Sequence, residues 1–160
     1  MTENEIRIQF SKYGTEIELN NTGLLLLDSA KKALDSAYSP YSNFQVGAAL
    51  LLSNGEIIRG SNQENAAYPS GLCAERTAIF FAGAQYPLEK VLEILVIARK
   101  TGTLDLIAAC PCGACRQVLL EYEVRQNQAI PVVFKLEKQG FIKVASVSDL
   151  LPFKFDSSSL

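Results

Sequence analysis

The chain contains no histidine and no tryptophan, which excludes the catalytic triads and metal sites that depend on imidazole. It also lacks a surplus of basic residues, because 15 Lys and Arg stand against 17 Asp and Glu for a formal net charge of −2. This balance disfavours a protein that binds nucleic acid through its phosphates. The apolar runs are too short to cross a membrane, and the first residues, MTENEIRIQF, predict no secretory signal.

Without histidine, acid–base or metal chemistry in this chain must use carboxylates and thiolates. Four cysteines are present. Cys73 stands alone, and Cys110, Cys112 and Cys115 lie within a single short segment. In a reducing compartment, clustered cysteines bind metal or perform chemistry more often than they form disulfides. We therefore predict a cytoplasmic protein with a thiolate site.

Hydrophobic periodicity predicts strands and helices in a single domain over residues 1–160, with 1–20 as an N-terminal extension of unassigned role that supplies one or two edge strands. The predicted helices cover 22–36, capped by Asn21 or Thr22, 73–85, 112–124 and a short terminal helix, 146–151. The predicted strands cover 44–52, 56–59, 91–98, 104–109, 131–136 and 142–145. This order predicts an α/β fold in which helices cover both faces of one sheet.

The spacing of the cysteines predicts a zinc site. Cys112 and Cys115 are three residues apart at the start of a helix, so their sulfur atoms face the same side, and Cys73 opens another helix. The positive end of a helix dipole lowers a thiol pKa, and three thiolates offer three corners of a zinc tetrahedron. Cys110 precedes Pro111 and is expected to point elsewhere, which leaves the fourth position to water.

Glu75 lies two residues after Cys73, where a carboxylate can take a proton from water and deliver it to a substrate. Three thiolates around Zn²⁺ leave the site with a net charge of −1, so some group must withdraw charge from the sulfur atoms. Arg76, Arg116 and the two helix N-termini are the candidates. We hypothesise that Arg76 donates a hydrogen bond to a ligand sulfur.

Four segments of the chain resemble the cytidine deaminase family, specifically its small homotetrameric branch with cysteine ligands. They are SPYSNFQVGAAL (39–50), GSNQENAAYPSGLCAERTAI (60–79), PCGACRQVLLE (111–121) and DLLPFKF (149–155). The resemblance covers 24–155, and it departs from the family at residues 1–20, at Cys110 and at the final DSSSL. It implies a three-layer αβα sandwich with a mixed sheet of about five strands.

The resemblance also assigns roles to individual residues. It implies one Zn²⁺ per chain on Cys73, Cys112 and Cys115, with Glu75 as the proton shuttle. It further implies substrate contacts from Phe44 at the pyrimidine ring, Asn62 and Glu64 at the ribose 3′-hydroxyl, Ala74 at the base, and Tyr68 and Phe155 as aromatics that act across a subunit boundary.

The expected activity is hydrolytic deamination of cytidine and 2′-deoxycytidine to the uridine nucleosides and ammonia, in pyrimidine salvage. The expected enzyme is a homotetramer whose sites are completed by neighbouring subunits, with a small nucleoside as substrate and neither nucleic acid nor membrane as partner. Three alternatives stay open. They are a deaminase of another cytosine nucleoside such as blasticidin S, a structural zinc module closed by Cys110, and a thiol redox protein using Cys112 and Cys115.

Overall fold

A mixed β-sheet forms the centre of the structure, a computed structural model that describes residues 2–136 and 140–160. Over these ranges the sheet has seven strands. They are β1 (Phe10–Tyr13), β2 (Phe44–Leu52), β3 (Ile57–Ser61), β4 (Val91–Lys100), β5 (Leu106–Ile107), β6 (Val132–Leu136) and β7 (Gly140–Val144). The α-helices of the described residues are α1 (Asn21–Leu34), α2 (Ala74–Gln85) and α3 (Gly113–Arg125).

The strand order is β1-β7-β6-β4-β2-β3, and the short β5 pairs with β4. Strands β4 and β6 are parallel, with Ile94 opposite Val132, while β2 pairs antiparallel with both β3 and β4. A parallel pair needs a crossover connection, and α3 provides it between β4 and β6. The N-terminus of α3 is thereby brought to the carboxyl end of β4.

Helices cover both faces of the sheet, which confirms the predicted three-layer α/β architecture. On one face α1 packs against β2 and β4 through Leu26, Ala49 and Leu95. On the other face α2 and α3 pack against residues of the same strands, such as Ala48 and Val96. Adjacent strand residues face opposite sides, so β2 and β4 are buried almost throughout.

Several predicted boundaries differ from the structure. The sheet has seven strands rather than the five or so that the family resemblance implies. The additional strands are β1, which pairs with β7 and confirms an edge strand within the N-terminal extension, and the short β5, which lies within the strand predicted over 104–109. The strand predicted over 104–109 is only two residues long. Asn20 caps α1, rather than Asn21 or Thr22, since its Oδ1 accepts a hydrogen bond from Gly23 N at 2.8 Å. None of the helices in the described ranges has the length and apolarity to span a membrane.

A glycine at the sheet edge determines how closely α2 approaches the sheet. A Cβ atom on Gly60, in β3, would lie 2.3 Å from Ala74 O and 2.6 Å from Ala78 N. Both of these are backbone atoms of α2, so a larger residue could be accommodated only by moving the helix. The first turn of α2 therefore rests directly on β3.

A buried carboxylate near the end of α3 holds the segment that follows β7. Glu123 is 7% exposed. It accepts hydrogen bonds from Ile130 N, Val147 N and Ser148 N and from the hydroxyls of Ser146 and Ser148, at 2.6–3.1 Å. Burial alone would raise the pKa of Glu123, but these donors outweigh it and lower the pKa below its usual value.

Candidate active site

Three thiols meet where α2 and α3 begin. Cys73 is the N-cap residue of α2, Cys112 is the N-cap residue of α3, and Cys115 lies buried in the first turn of α3. Their three sulfur atoms all lie within 4.8 Å of one another, and the Sγ atoms of Cys73 and Cys112 are 4.0 Å apart. Residues separated by almost forty positions are thus brought together by the crossover.

One thiol of the cluster, Cys73, favours its negatively charged form. A hydrogen bond from Cys115 and the nearby Arg76 guanidinium lower the pKa of Cys73 to about 5, against the opposing effect of burial. The hydrogen bond to Cys73, together with burial, raises the pKa of Cys115. Arg76 Nη2 lies 3.6 Å from Cys73 Sγ and 3.5 Å from Gly71 O. The structure therefore places Arg76 where the sequence hypothesis requires it.

The donor set fits a zinc ion. Zinc–thiolate bonds of about 2.3 Å in a tetrahedron place sulfur atoms about 3.8 Å apart, close to the separations found here. Three thiol ligands leave one coordination position for a small molecule, which is the arrangement of catalytic zinc sites.

Cys110 is held differently from the other three cysteines. Its exposed thiol accepts a hydrogen bond from Arg116 Nη2 at 3.0 Å. Arg116 also donates to Pro111 O at 2.8 Å and Leu150 O at 3.1 Å. Arg116 was a candidate for withdrawing charge from the zinc ligands, but its hydrogen bonds go instead to the loop before α3 and to the C-terminal segment.

Glu75 lies in the first turn of α2 and is 4% exposed. Burial, assisted by the negative charge of Cys73, raises the pKa of its carboxyl to about 6. A carboxyl group with a pKa close to neutrality can both accept and return a proton during a reaction. Its position beside the thiol cluster gives that proton a short path to any group bound there.

A cavity of about 540 Å³ opens onto this cluster. Its walls contain most of the residues that the sequence singled out: Phe44, Asn62, Glu64, Tyr68, Cys73, Glu75, Arg76 and Cys112. Val46 and Val96 add an apolar surface. The volume suits a small molecule, with apolar walls and a few polar groups that can fix its orientation. Ala74 and Cys115 are fully buried and lie outside the described lining.

Two polar side chains join the loops at the mouth of the cavity. Asn62, which follows β3, bridges β2: its Oδ1 accepts from Val46 N at 2.8 Å and its Nδ2 donates to Phe44 O at 2.9 Å. Glu64 accepts from Tyr41 N, Ser42 N and the Ser42 hydroxyl. Ser42 was not predicted as a site residue, although it lies within the SPYSNF segment that carries the family resemblance.

The two aromatics predicted to act across a subunit boundary lie in different places. Tyr68 is 75% exposed at the rim of the cavity, where its ring meets Tyr41 edge to face with centroids 6.2 Å apart. Phe155 is 59% exposed and lies outside the described lining of this cavity. Its carbonyl accepts a hydrogen bond from Gln117 Nε2 at 2.8 Å, which ties the C-terminal segment to α3.

A three-thiol cluster beside a buried glutamate, on two helix N-termini that meet over one sheet face, is the arrangement found in zinc-dependent deaminases. Residues 21–130 match the family model described as the cytidine and deoxycytidylate deaminase zinc-binding region. The chain belongs to the cytidine deaminase family, and its matched domain is a zinc-binding one.

Relatives match over most of their own length. A cytidine deaminase of Halalkalibacterium halodurans is 41% identical over 136 residues, 85% of this chain and 96% of the relative. One of Sporosarcina psychrophila is 41% identical over 135 residues, covering 84% of this chain and 92% of the relative. The crystal structure of cytidine deaminase from Burkholderia pseudomallei superimposes with a TM-score of 0.67 at 38% identity, covering 86% of this chain and all of that one.

Proposed function

We propose that this protein hydrolyses the amino group of cytidine and 2′-deoxycytidine, giving the uridine nucleosides and ammonia. The observation that carries the proposal is Glu75, a buried carboxyl with a pKa near 6, which shares one cavity with the thiol cluster and with the Asn62 and Glu64 loops. In this proposal Cys73, Cys112 and Cys115 hold one zinc ion. When bound, zinc supplies a water molecule of lowered pKa as the nucleophile.

Glu75 carries the protons in this reaction. Its carboxylate takes a proton from the attacking water and delivers it to N3 of the pyrimidine, then takes the proton of the hydroxyl newly bonded to C4 and passes it to the amino group, which leaves as ammonia as the C4–N bond breaks. Arg76 supports the chemistry by holding the Cys73 sulfur as a thiolate. Phe44 and the backbone around Ala74 hold the base, while Asn62 and Glu64 bind the sugar hydroxyl. A buried carboxyl suits repeated proton transfer because it gains or loses its charge at little cost near neutral pH.

The charges in the cavity favour a nucleoside over a nucleotide. Among the described lining residues Arg76 is the single cation, and its Nη2 is directed at Cys73 and Gly71. The Glu64 carboxylate adds negative charge. A 5′-phosphate is held by free Arg or Lys donors in proteins that bind it, so we propose a neutral nucleoside rather than deoxycytidylate as substrate.

The alternative of a structural zinc module is weakened by Cys110. A closed four-cysteine site would require its sulfur in the cluster, yet that sulfur accepts a hydrogen bond from Arg116 at 3.0 Å. A redox role for Cys112 and Cys115 is weakened by the third thiol of Cys73 beside them.

We further propose a homotetramer of single-domain chains, each spanning 1–160, that acts in pyrimidine salvage in the cytoplasm. Two exposed aromatics on the C-terminal segment support assembly, since Phe153 is 91% and Phe155 59% exposed. Phe155 and Tyr68 would then complete the site of a neighbouring subunit. Four free cysteines support a reducing compartment. Light scattering should give four chains per particle, and replacing Phe155 with Ala should raise the KM for cytidine.

The activity is tested by following the ultraviolet absorbance of cytidine with the purified zinc-loaded protein. We expect loss of the cytidine signal with the wild type, no loss with a zinc-loaded Glu75→Gln variant, and no turnover of deoxycytidylate. Equal turnover of deoxycytidine and deoxycytidylate would contradict the nucleoside assignment. Zinc bound by both proteins without any turnover of cytidine would direct the search to blasticidin-type substrates.

A further inference from the structure

Ser42 forms two hydrogen bonds that give its hydroxyl a fixed direction. Its Oγ accepts a hydrogen bond from Phe44 N at 3.0 Å, and it donates its proton to Glu64 Oε1. A hydroxyl has one proton, and the backbone N–H of Phe44 can only donate, so the proton must go to the carboxylate. Ser42 also lines the cavity beside Glu64 and Phe44.

The hydrogen bonds to Glu64 leave little acceptor capacity unused. Its Oε2 accepts from Tyr41 N at 2.9 Å and from Ser42 N at 3.3 Å, while Oε1 accepts from the Ser42 hydroxyl. A carboxylate offers about four lone-pair sites, so about one remains, on Oε1. The donors from Ser42 and Tyr41 outweigh burial and lower the pKa of Glu64, which keeps the carboxylate charged as an acceptor.

We propose that Ser42 is a positioning residue for the sugar: it fixes Glu64 so that the remaining acceptor site on Oε1 receives the 3′-hydroxyl of the nucleoside. This inference rests on the proposed function, in which Glu64 binds that hydroxyl. A glutamate on a loop would otherwise sample several rotamers, and the ordering would have to occur when the substrate binds. The hydrogen bond from Ser42 orders the Glu64 side chain before the substrate binds.

The chain offers a matched control at the turn between β2 and β3. Ser53 Oγ accepts from Lys90 N at 2.9 Å and donates to Glu89 Oε2 at 2.5 Å. Like Ser42, Ser53 thus accepts from a backbone N–H and donates to a glutamate. Ser53, Glu89 and Lys90 all lie outside the described lining of the active-site cavity. Replacing Ser53 with Ala therefore removes equivalent bonds without touching the sugar site.

The test compares cytidine with 3′-deoxycytidine for the wild type and for the Ser42→Ala, Ser42→Thr and Ser53→Ala variants. We expect Ser42→Ala to raise the KM for cytidine about threefold to tenfold, the value of one hydrogen bond, with kcat changed less than twofold. Its KM for 3′-deoxycytidine should stay at the wild-type value. Ser42→Thr keeps the hydroxyl and should restore the KM for cytidine, and Ser53→Ala should change neither KM.

The outcomes separate this inference from the proposed function. If Ser42→Ala raises the KM for both nucleosides equally, or leaves both unchanged while the wild type discriminates between them, Ser42 does not position the sugar contact and the deaminase function stands. If the wild type binds both nucleosides equally, the sugar role of Glu64 is wrong and the inference is wrong with it. If the wild type deaminates neither nucleoside, the proposed function itself fails.

Discussion

Glu75 and Glu123 are both buried glutamates on helices, 4% and 7% exposed, yet their pKa values move in opposite directions. Burial raises the pKa of Glu75 to about 6, whereas Glu123 has a pKa below its usual value despite its burial. The difference lies in their partners. Glu123 receives five hydrogen bonds from the segments around Ile130 and Val147, while Glu75 faces a cavity and the negative charge of Cys73.

The comparison shows that hydrogen-bond donors, rather than depth, decide whether a buried carboxyl keeps its charge. Five donors fix Glu123 as an anion that joins α3 to the segment before β6 and to the segment after β7. Few donors leave Glu75 able to change its protonation state, which is what a proton shuttle needs. Replacing Glu75 should therefore lower activity, whereas replacing Glu123 should lower stability.

The largest effect is expected from Glu75→Gln. Loss of the proposed proton shuttle should lower kcat for cytidine by about 10³-fold, within the range typical of general acid–base catalysis, while zinc content and stability change little. Steady-state kinetics and metal analysis on the same preparation measure this. Glu121→Gln, at an exposed carboxyl on α3, serves as the control and should retain full activity. A Glu75→Gln enzyme with wild-type kcat would remove Glu75 from the mechanism.

Glu123→Gln should damage stability rather than chemistry. The amide presents N–H donors to backbone N–H groups that need an acceptor, so the free energy of unfolding should fall by about 3 kcal/mol. Urea unfolding measures the loss, again with Glu121→Gln as the control. A stability equal to that of the wild type would show that the five hydrogen bonds make no net contribution.

This stability difference should also depend on pH. The pKa of Glu123 is lower in the folded protein than in the unfolded chain, where it is about 4.3, so its stabilisation is complete above that value. The stabilisation is lost as the pH falls through the folded-state pKa. The gap in unfolding free energy between wild type and Glu123→Gln should therefore be constant from pH 6 to pH 8, which are about two units or more above the unfolded pKa, and should narrow below about pH 4. A difference in unfolding free energy that widens at acidic pH would show that folding raises the pKa of Glu123 instead of lowering it.

Arg76→Ala should weaken the metal site by a smaller amount. Arg76 lies 3.6 Å from Cys73 Sγ and favours its thiolate form, so its loss should reduce zinc affinity about tenfold, as is typical when a partner of a metal ligand is removed. Competition with a chromogenic chelator measures the affinity. Arg76→Lys keeps the charge and should recover part of it. Unchanged affinity in Arg76→Ala would show that the helix N-termini stabilise the thiolates without Arg76.

The smallest effect is expected from Ser146→Ala. This change removes one of the five donors to Glu123, the Ser146 hydroxyl at 2.6 Å, and with it an acceptor for Ser148 N at 3.1 Å; Ser148 N keeps Glu123 as its other acceptor. The free energy of unfolding should fall by about 1 kcal/mol, the typical net value of one hydrogen bond. Thermal unfolding at pH 7 measures it. A loss as large as that of Glu123→Gln would mean that the cluster acts as a single unit.

Hydrophobic periodicity predicted the helices, the hairpin and the buried β4, because burial on one or two faces imposes a regular pattern on neighbouring residues. An edge strand within 1–20 was predicted and β1 confirms it, but its pairing with β7 could not be predicted, since the exposed residues of Phe10–Tyr13 carry no core pattern that would select a partner. At β5 the strand predicted over 104–109 is longer than the observed Leu106–Ile107, because so short a strand is too small for periodicity to fix its ends.

Some contacts of the site could likewise be predicted from the sequence, and others could not. The spacing of Cys112 and Cys115 on one helix turn predicted that their sulfur atoms meet, and the place of Cys73 at the start of another helix made it the candidate for the third. Contacts such as Ser42 with Glu64, or Glu123 with Ser146, join polar residues more than twenty positions apart. Their geometry depends on how the loops and helices pack, which no local pattern in the sequence records.

The absence of a side chain at Gly60 limits how this sequence can change. The peptide carbonyl of Ala74, 2.3 Å from where a Cβ atom would stand, lies between Cys73 and Glu75 in the chain. A substitution there would lift both residues away from the start of α3 together. Selection for the reaction therefore extends to an edge strand that touches neither metal nor substrate. Gly60→Ala should therefore abolish activity, although every residue proposed for the active site would still be present.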